Sequence, residues 1–277
     1  MKRWSATLLV LAVCAAVGDV VHADVTIVQK TTAEGGMATM AQAQGGVPTP
    51  TITTRIKGSK GRTDVELNSP MFPGQVSTIT DGDSKQVIML DHNQKTARVS
   101  TGAAAPAPNA PMPTVNIEGA VTPTGQTQTI DGMKCEEYTL TTSIDLSSMG
   151  GGQMPPGAMQ GVTMVMKGSM WVARDAPGAA DYAAYQKAMT AADLLGASMG
   201  ATGVSLPGME KMAKAMAAVP GLPVLTEMTM SVEGQGQMAD MMRQMGAMKV
   251  TTRVTSVKTD AIADDAFKVP EGYQVIK

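Results

Sequence analysis

Sulfur is the most abundant soft chemistry in this chain: 25 of its 277 residues are methionine. Thioethers are soft ligands that suit Cu(I). Met238, Met241, Met242 and Met245 recur at three- and four-residue spacing, so one helical face could offer several sulfurs to such an ion. A plainer reading competes with this one. The methionines are spread over the whole chain, predicted strands included, as at Met228 and Met230, while aromatic residues make up only 3%. Methionine then stands in for Leu and Phe as a flexible apolar filler, in a core or at an interface.

The other reactive groups are sparse. His92 lies between Asp91 and Asn93 in a predicted hairpin turn, where a side chain is expected to face water rather than a pocket. Glu136 and Glu137 are adjacent on a predicted strand, point to opposite faces and make a poor acid/base pair. Asp264 and Asp265 belong to a predicted surface turn. The chain contains no phosphate loop or His/Glu zinc motif. The expectation is a non-catalytic protein without a cofactor.

The first residues predict export. Lys2 and Arg3 precede an apolar run from Leu8 to Val17, too short to span a bilayer. Gly18 and Asp19 end it, and Val21-His22-Ala23 offers a cleavage site, so residues 1–23 read as a signal peptide and the mature chain starts at Asp24 in the periplasm. The alternative, lipidation at Cys14, meets Val13 where such a site prefers a small residue. After cleavage Cys135 is the remaining cysteine, which allows no internal disulfide and predicts a buried, inert thiol. Loss of Lys2, Arg3 and Asp19 leaves 20 basic against 23 acidic residues, interspersed and without the basic patch that a nucleic acid partner requires. No later apolar stretch reaches transmembrane length.

Most of the mature chain reads as strands: 24–30, 51–57, 62–67, 76–80, 85–90, 95–100, 126–130, 134–144, 162–174, 223–233 and 249–258. Gly58 to Gly61, Asp81-Gly82-Asp83, Asp91 to Gln94 and Asp131-Gly132 are turn signals between them. Flexible Gly/Ala/Pro/Met-rich insertions are expected near 31–50, 102–113 and 149–161. The period then changes. Tyr182, Tyr185, Met189, Ala192 and Leu195 share a helical face, which predicts an amphipathic helix over 179–199 with Asp175 as its cap and Pro177 in its first turn. A second helix is predicted over about 206–218, with Met209, Met212 and Met216 on one face and Lys211 and Lys214 turned away. Short turns and the lack of a βαβ rhythm imply α+β architecture: one mostly antiparallel sheet, covered on one face by two amphipathic helices, in a single domain from 24 to 277.

Several short stretches resemble a known family. They are Ile79 to Gly82, Val87 to Thr96, Ile130 to Tyr138, Gly168 to Asp175, Pro220 to Val224 and Ala266 to Tyr273. Together they look like the exported bacterial family catalogued as domain of unknown function 4412, and the last stretch also resembles periplasmic lipoprotein carriers. The resemblance implies a lipoprotein-carrier-like (LolA-like) fold, an open curved half-barrel with an apolar inner face. It brings no established activity, and a fold alone does not assign one.

On these grounds the leading expectation is a soluble periplasmic protein that binds a lipid, an acyl chain or another apolar ligand. Trp171, Tyr182, Tyr185, Met189, Leu195, Met228 and Met230 are the residues expected to line its site. The alternative is an envelope protein-interaction module with a closed core. Cu(I) binding by the Met238 to Met245 cluster is the third reading.

Overall fold

β-Branched residues at every second position build the chain into strands, because alternate side chains then leave the sheet on the same face. The structure is a computed structural model that describes residues 24–36, 38–39, 49–69, 72–101, 116–147, 159–194 and 208–276. The predicted signal peptide, Leu195 and most of the three predicted insertions lie outside these residues. The first six strands are β1 (Val25–Gly35), β2 (Thr51–Lys57), β3 (Lys60–Ser69), β4 (Phe72–Asp81), β5 (Gln86–Asp91) and β6 (Thr96–Thr101). The next five are β7 (Ile117–Ile130), β8 (Met133–Asp145), β9 (Val162–Ala173), β10 (Leu222–Gly234) and β11 (Met248–Lys258), and Gln274–Ile276 forms a short β12. Among the described residues, three helices interrupt the second group: α1 (Ala179–Ala191), α2 (Met209–Ala217) and α3 (Gln237–Gln244).

All twelve strands join one open sheet in the order β12-β6-β5-β4-β3-β2-β1-β11-β10-β9-β8-β7. It consists of two meanders, β1–β6 and β7–β11, joined by antiparallel pairing of β1 with β11. The sheet is mostly antiparallel, as expected; the parallel pair is at one edge, where β12 returns across the sheet beside β6. Register carries each face across the junction. Thr31, Thr252, Thr226, Met170 and Tyr138 stand in one cross-strand row, and Ile27, Thr54, Thr63 and Thr78 in another on the same face.

Residues of all three helices meet that face. Tyr185 and Met189 of α1 share a core with Val25, Ile27, Ile56, Val87 and Val254. Met212 and Met216 of α2 pack on Tyr138, Leu140, Met170 and Val172. Ala239, Met238 and Met242 of α3 pack with Leu146, Val162 and Val232. The opposite face of β4–β6 carries Ile79, Leu90 and Ala97, and a strap formed by residues 259–273 lays Phe267, Val269 and Tyr273 over them. Lys57 Nζ donates to the Ile262 carbonyl at 2.9 Å, and Arg62 Nη1 to the Ala266 carbonyl at 3.1 Å, so backbone acceptors of the strap are satisfied by the sheet it covers.

Several boundaries differ from the sequence reading. α1 stops at Ala191, where Asp193 soon adopts a left-handed backbone with φ 53°, and residues 195–199 of the predicted helix lie outside the described residues. It starts after Gly178 (φ 70°), so Asp175 is not its cap and Pro177 precedes its first turn. The predicted amphipathicity of α1 is weak: Tyr185 and Met189 are buried on one side, but the exposed side carries Ala180, Ala184, Lys187 and Ala191 and so a single charged group. α3 ends at Gln244, and Met248 already belongs to β11. β7 begins at Ile117, nine residues before the predicted strand. Its exposed Thr/Gln run with Pro123 and Gly125 lacks a period-two signal, as an edge strand with a bulge is free to do.

The strap supplies a test of this arrangement. Phe267→Ala should cost about 3–5 kcal/mol in denaturant titration, the usual range for emptying a buried aromatic site. A loss well below that range would mean that residues 259–273 are not part of the cooperative fold.

Candidate functional site

A half-open cleft of about 210 Å³ lies between α1 and the helix-bearing face of β1–β4. Four threonines form its floor. Thr54, Thr63 and Thr78 stand side by side on β2, β3 and β4, and Thr80 lies one pleat along β4. Ile27 and Gln29 complete the floor, and Tyr182, Tyr185, Gln186, Met189 and Leu194 form the roof. Among the described residues, no formally charged side chain lines it.

Tyr185 sets the height of the roof. Its hydroxyl lies 2.6 Å from Thr80 Oγ1, and its ring rests on the backbone of Gly61, where a Cβ would overlap the ring. Gly82 likewise lies under the Met189 methyl, 3.0 Å from where a Cβ would sit. Removing water raises both phenols. Burial pushes Tyr182 up to about 12, with a hydrogen bond from Gln186 pulling the other way. Burial also raises Tyr185, against a smaller opposite pull from the Thr80 hydrogen bond. Both therefore remain neutral donors at ordinary pH. The cleft offers hydroxyls, amides, two aromatic rings and a thioether, a surface suited to an uncharged group with some oxygen or nitrogen atoms.

Three of the residues expected to line a site, Tyr182, Tyr185 and Met189, meet here. Leu195 is outside the described residues, and its neighbour Leu194, 1% exposed, takes the buried place. Met228 packs with the Tyr138–Met170 cluster, away from the cleft. Met230 is half-buried between Met166 and Met248 in the sheet. Trp171 pairs with Leu225 and packs, partly buried, against the core cluster that includes Tyr185 and Met189, but it does not line the cleft. The α3 methionines divide between roles. Met238 and Met242 are used in packing, and Met241 is 52% exposed. Cys135 is buried, its thiol donates to the Met133 carbonyl at 3.3 Å, and burial raises its pKa, which makes it a poor nucleophile.

His92 is not the solvated turn residue that its neighbours suggest. On the face opposite the cleft, Arg55, Arg62, Asp64, Ser77, His92 and Tyr273 form one hydrogen-bonded chain. Ser77 Oγ donates to Asp64 Oδ1, and Arg62 Nε donates to the same oxygen at 2.8 Å. Arg55 pairs with Asp64 Oδ2. His92 Nε2 lies 2.6 Å from Ser77 Oγ, and its Nδ1 2.6 Å from the Tyr273 hydroxyl. Ser77 has a single proton, committed to Asp64, so Nε2 must be the donor toward Ser77; with a neutral imidazole Nδ1 then accepts from Tyr273. Burial pushes the Asp64 carboxyl up, but hydrogen bonds from Ser77 and Arg62 and the arginine charge outweigh it and hold it below its ordinary value.

These residue types suggest a hydrolase set, but the order does not. A nucleophilic serine must face substrate and give its proton to histidine. Ser77 is fully buried and gives its proton to Asp64. The chain is a clasp that fastens Tyr273, and with it the end of the strap, to β3 and β4. No sequence spacing connects Asp64, Ser77, His92 and Tyr273, so the sequence reading had no means of finding it.

A family model described as "Domain of unknown function (DUF4412)" matches residues 34–273. No curated protein matches the chain. Among solved structures, an uncharacterized conserved protein from Thermus thermophilus is similar at 8% identity and a TM-score of 0.38, over 92% of this chain and 91% of that one.

Two outcomes test the cleft. Tyr182 titrates near its ordinary 10.0 in the unfolded chain and near 12 in the folded one. Between those values the unfolded state loses its proton first, so this group's stabilising contribution, complete below pH 10, disappears as pH rises. Tyr182→Phe should flatten the fall in stability across that window, and an unchanged slope would contradict the burial of the phenol. Gly61→Ala should expel the Tyr185 ring and break its bond to Thr80. The expected readout is a downward shift of the Tyr185 titration toward the ordinary tyrosine range, measured by ultraviolet absorbance against the Tyr185→Phe variant.

Proposed function

The chain belongs to the family described as a domain of unknown function (DUF4412), a description that assigns no activity, and we propose that it is a non-catalytic binder of an uncharged apolar or amphiphilic group. On this reading residues 1–23 direct export and the mature protein works in the periplasm. α1 and α2 serve as a cover over a half-barrel sheet, as in a lipoprotein-carrier-like fold. The observation that carries the reading is the cleft under α1, with its threonine floor, aromatic roof and uncharged lining.

The dimensions narrow the ligand. About 210 Å³ is less than the roughly 300–1,000 Å³ of pockets that enclose drug-sized molecules, and more than the roughly 150 Å³ that holds a benzene. The cleft therefore takes one end of a chain: a short acyl segment with its ester or amide, the remainder lying outside the mouth. The threonine hydroxyls and Gln29 supply the polar contacts, and Met189 and Leu194 the apolar ones. A formal charge on the buried part would be desolvated without a partner, so an ionised carboxylate or a phosphate is disfavoured there.

A closed-core interaction module is the second reading. It is favoured by the Tyr185–Thr80 bond and by the burial of Leu194, both of which hold α1 down. Binding of an uncharged fluorescent probe, N-phenyl-1-naphthylamine, separates the two. The parent protein should bind it saturably, and Met189→Trp, which fills the cleft, should abolish binding with an unchanged circular dichroism spectrum. A parent that binds no probe and carries no lipid in native mass spectrometry after purification from a bacterial envelope would leave the interaction reading in its place.

A further inference from the structure

Strand register assembles a group of thioethers that are far apart in the sequence. Met230 on β10 pairs directly with Met166 on β9 at one side and with Met248 on β11 at the other. Directly paired residues share a face, with Cβ atoms about 4.5–5.5 Å apart in an antiparallel pair. Three methionines thus stand abreast on the helix-bearing face, and each has a long unbranched side chain that can lean toward the middle one. We propose that Met166, Met230 and Met248 form a binding site for one soft monovalent metal ion, Cu(I).

The surroundings favour a soft ion. The rows on either side are apolar on this face, Met164 with Val232 at one side and Gly168, Met228 and Val250 at the other, and the row itself continues from Met166 to the buried Thr142 of β8. They bring no carboxylate or imidazole, and among the described residues no His, Cys, Asp and Glu cluster suited to a metal occurs anywhere. Hard ions that need oxygen ligands gain little from three thioethers, whereas Cu(I) prefers them. At the β11 end Met248 pairs with Gly35, whose Cβ position is taken by the Ala247 carbonyl, so the row ends there without a further side chain.

Packing alone accounts for these three residues less well than for their neighbours. Met170, Met212, Met216 and Met228 belong to one buried cluster, and Met159, Met164, Met238 and Met242 to another. Among the described residues, Met166, Met230 and Met248 join none of the buried clusters, and all three are half-buried, within reach of an incoming ion. The site is distinct from the α3 methionines that the sequence singled out, because helical spacing puts sulfurs near one another in sequence and cross-strand register does so across 82 residues, from Met166 to Met248.

The experiment uses the mature chain carrying methionine labelled with ¹³C at the methyl group, with Ag(I) as an air-stable probe and Cu(I) delivered from a competing chelator. One equivalent of Ag(I) should shift the methyl resonances of Met166, Met230 and Met248. Met230→Leu keeps the apolar volume and removes the central sulfur. It should weaken Cu(I) by at least about tenfold, the lower bound for losing even a supporting group around a metal. The exposed Met241→Leu should leave affinity unchanged. Resonance shifts confined to the α3 methionines, unchanged affinity in a folded Met230→Leu variant, or no ion captured at all would each overturn the proposal. The resonance shifts are read on the parent chain and do not depend on any variant folding.

Discussion

Pairing of β1 with β11 is the contact on which the rest of the molecule depends. It brings together strands from opposite ends of the chain, so that Thr31 and Thr252, 221 positions apart, share a hydrogen bond at 3.0 Å. Without it each meander would expose a long edge and half of an apolar face. With it one face runs through eleven antiparallel strands, and α1, α2 and α3 bury side chains on a common surface. Thr255, opposite a shift in register between Val28 and Gln29, is left bulged within β11. Such a bulge sharpens the local twist, here at the junction of the meanders.

Period-two alternation then assigns adjacent residues to unrelated tasks. On β3, Thr63 faces the cleft and Asp64 the clasp. On β4, Thr78 and Thr80 face the cleft while Ser77 and Ile79 face the strap. A slip of one residue in β3 would put Asp64 under α1, and one in β4 would turn a threonine toward Phe267, which is why both faces resist any change in register. The buried carboxylate is tolerated because two guanidinium groups and a hydroxyl satisfy it. Removing either arginine would leave a desolvated charge short of a partner.

The two ends of the sheet differ in how they use apolar residues. The β1–β6 half relies on Val, Ile and the two tyrosines of α1, and it keeps an unfilled cleft. The β7–β11 half is dominated by methionine, whose flexible side chains fill gaps between helix and sheet as well as supplying the thioether row. One composition thus serves close packing in the buried clusters and a half-buried row of sulfurs between them.

Much of this was legible in the sequence. Alternating β-branched residues placed nearly all the strands, Asp81-Gly82 and Asp131-Gly132 located hairpin turns, and the spacing of Tyr182, Tyr185 and Met189 chose the face of α1 that roofs the cleft. These are local properties, governed by neighbours within one or two turns of chain. Others were hidden for one physical reason: they depend on which strands lie side by side. Trp171 was expected in the site and packs against the core outside the cleft, because only strand register decides how far along the sheet a side chain stands from α1. His92 looked solvated until Tyr273, 181 positions away, closed over it. The sequence by itself determined periodicity, turns and the stock of side chains. The tertiary structure alone decided which residues share a row, because cross-strand proximity is set by hydrogen-bond register between distant segments and leaves no trace in local spacing.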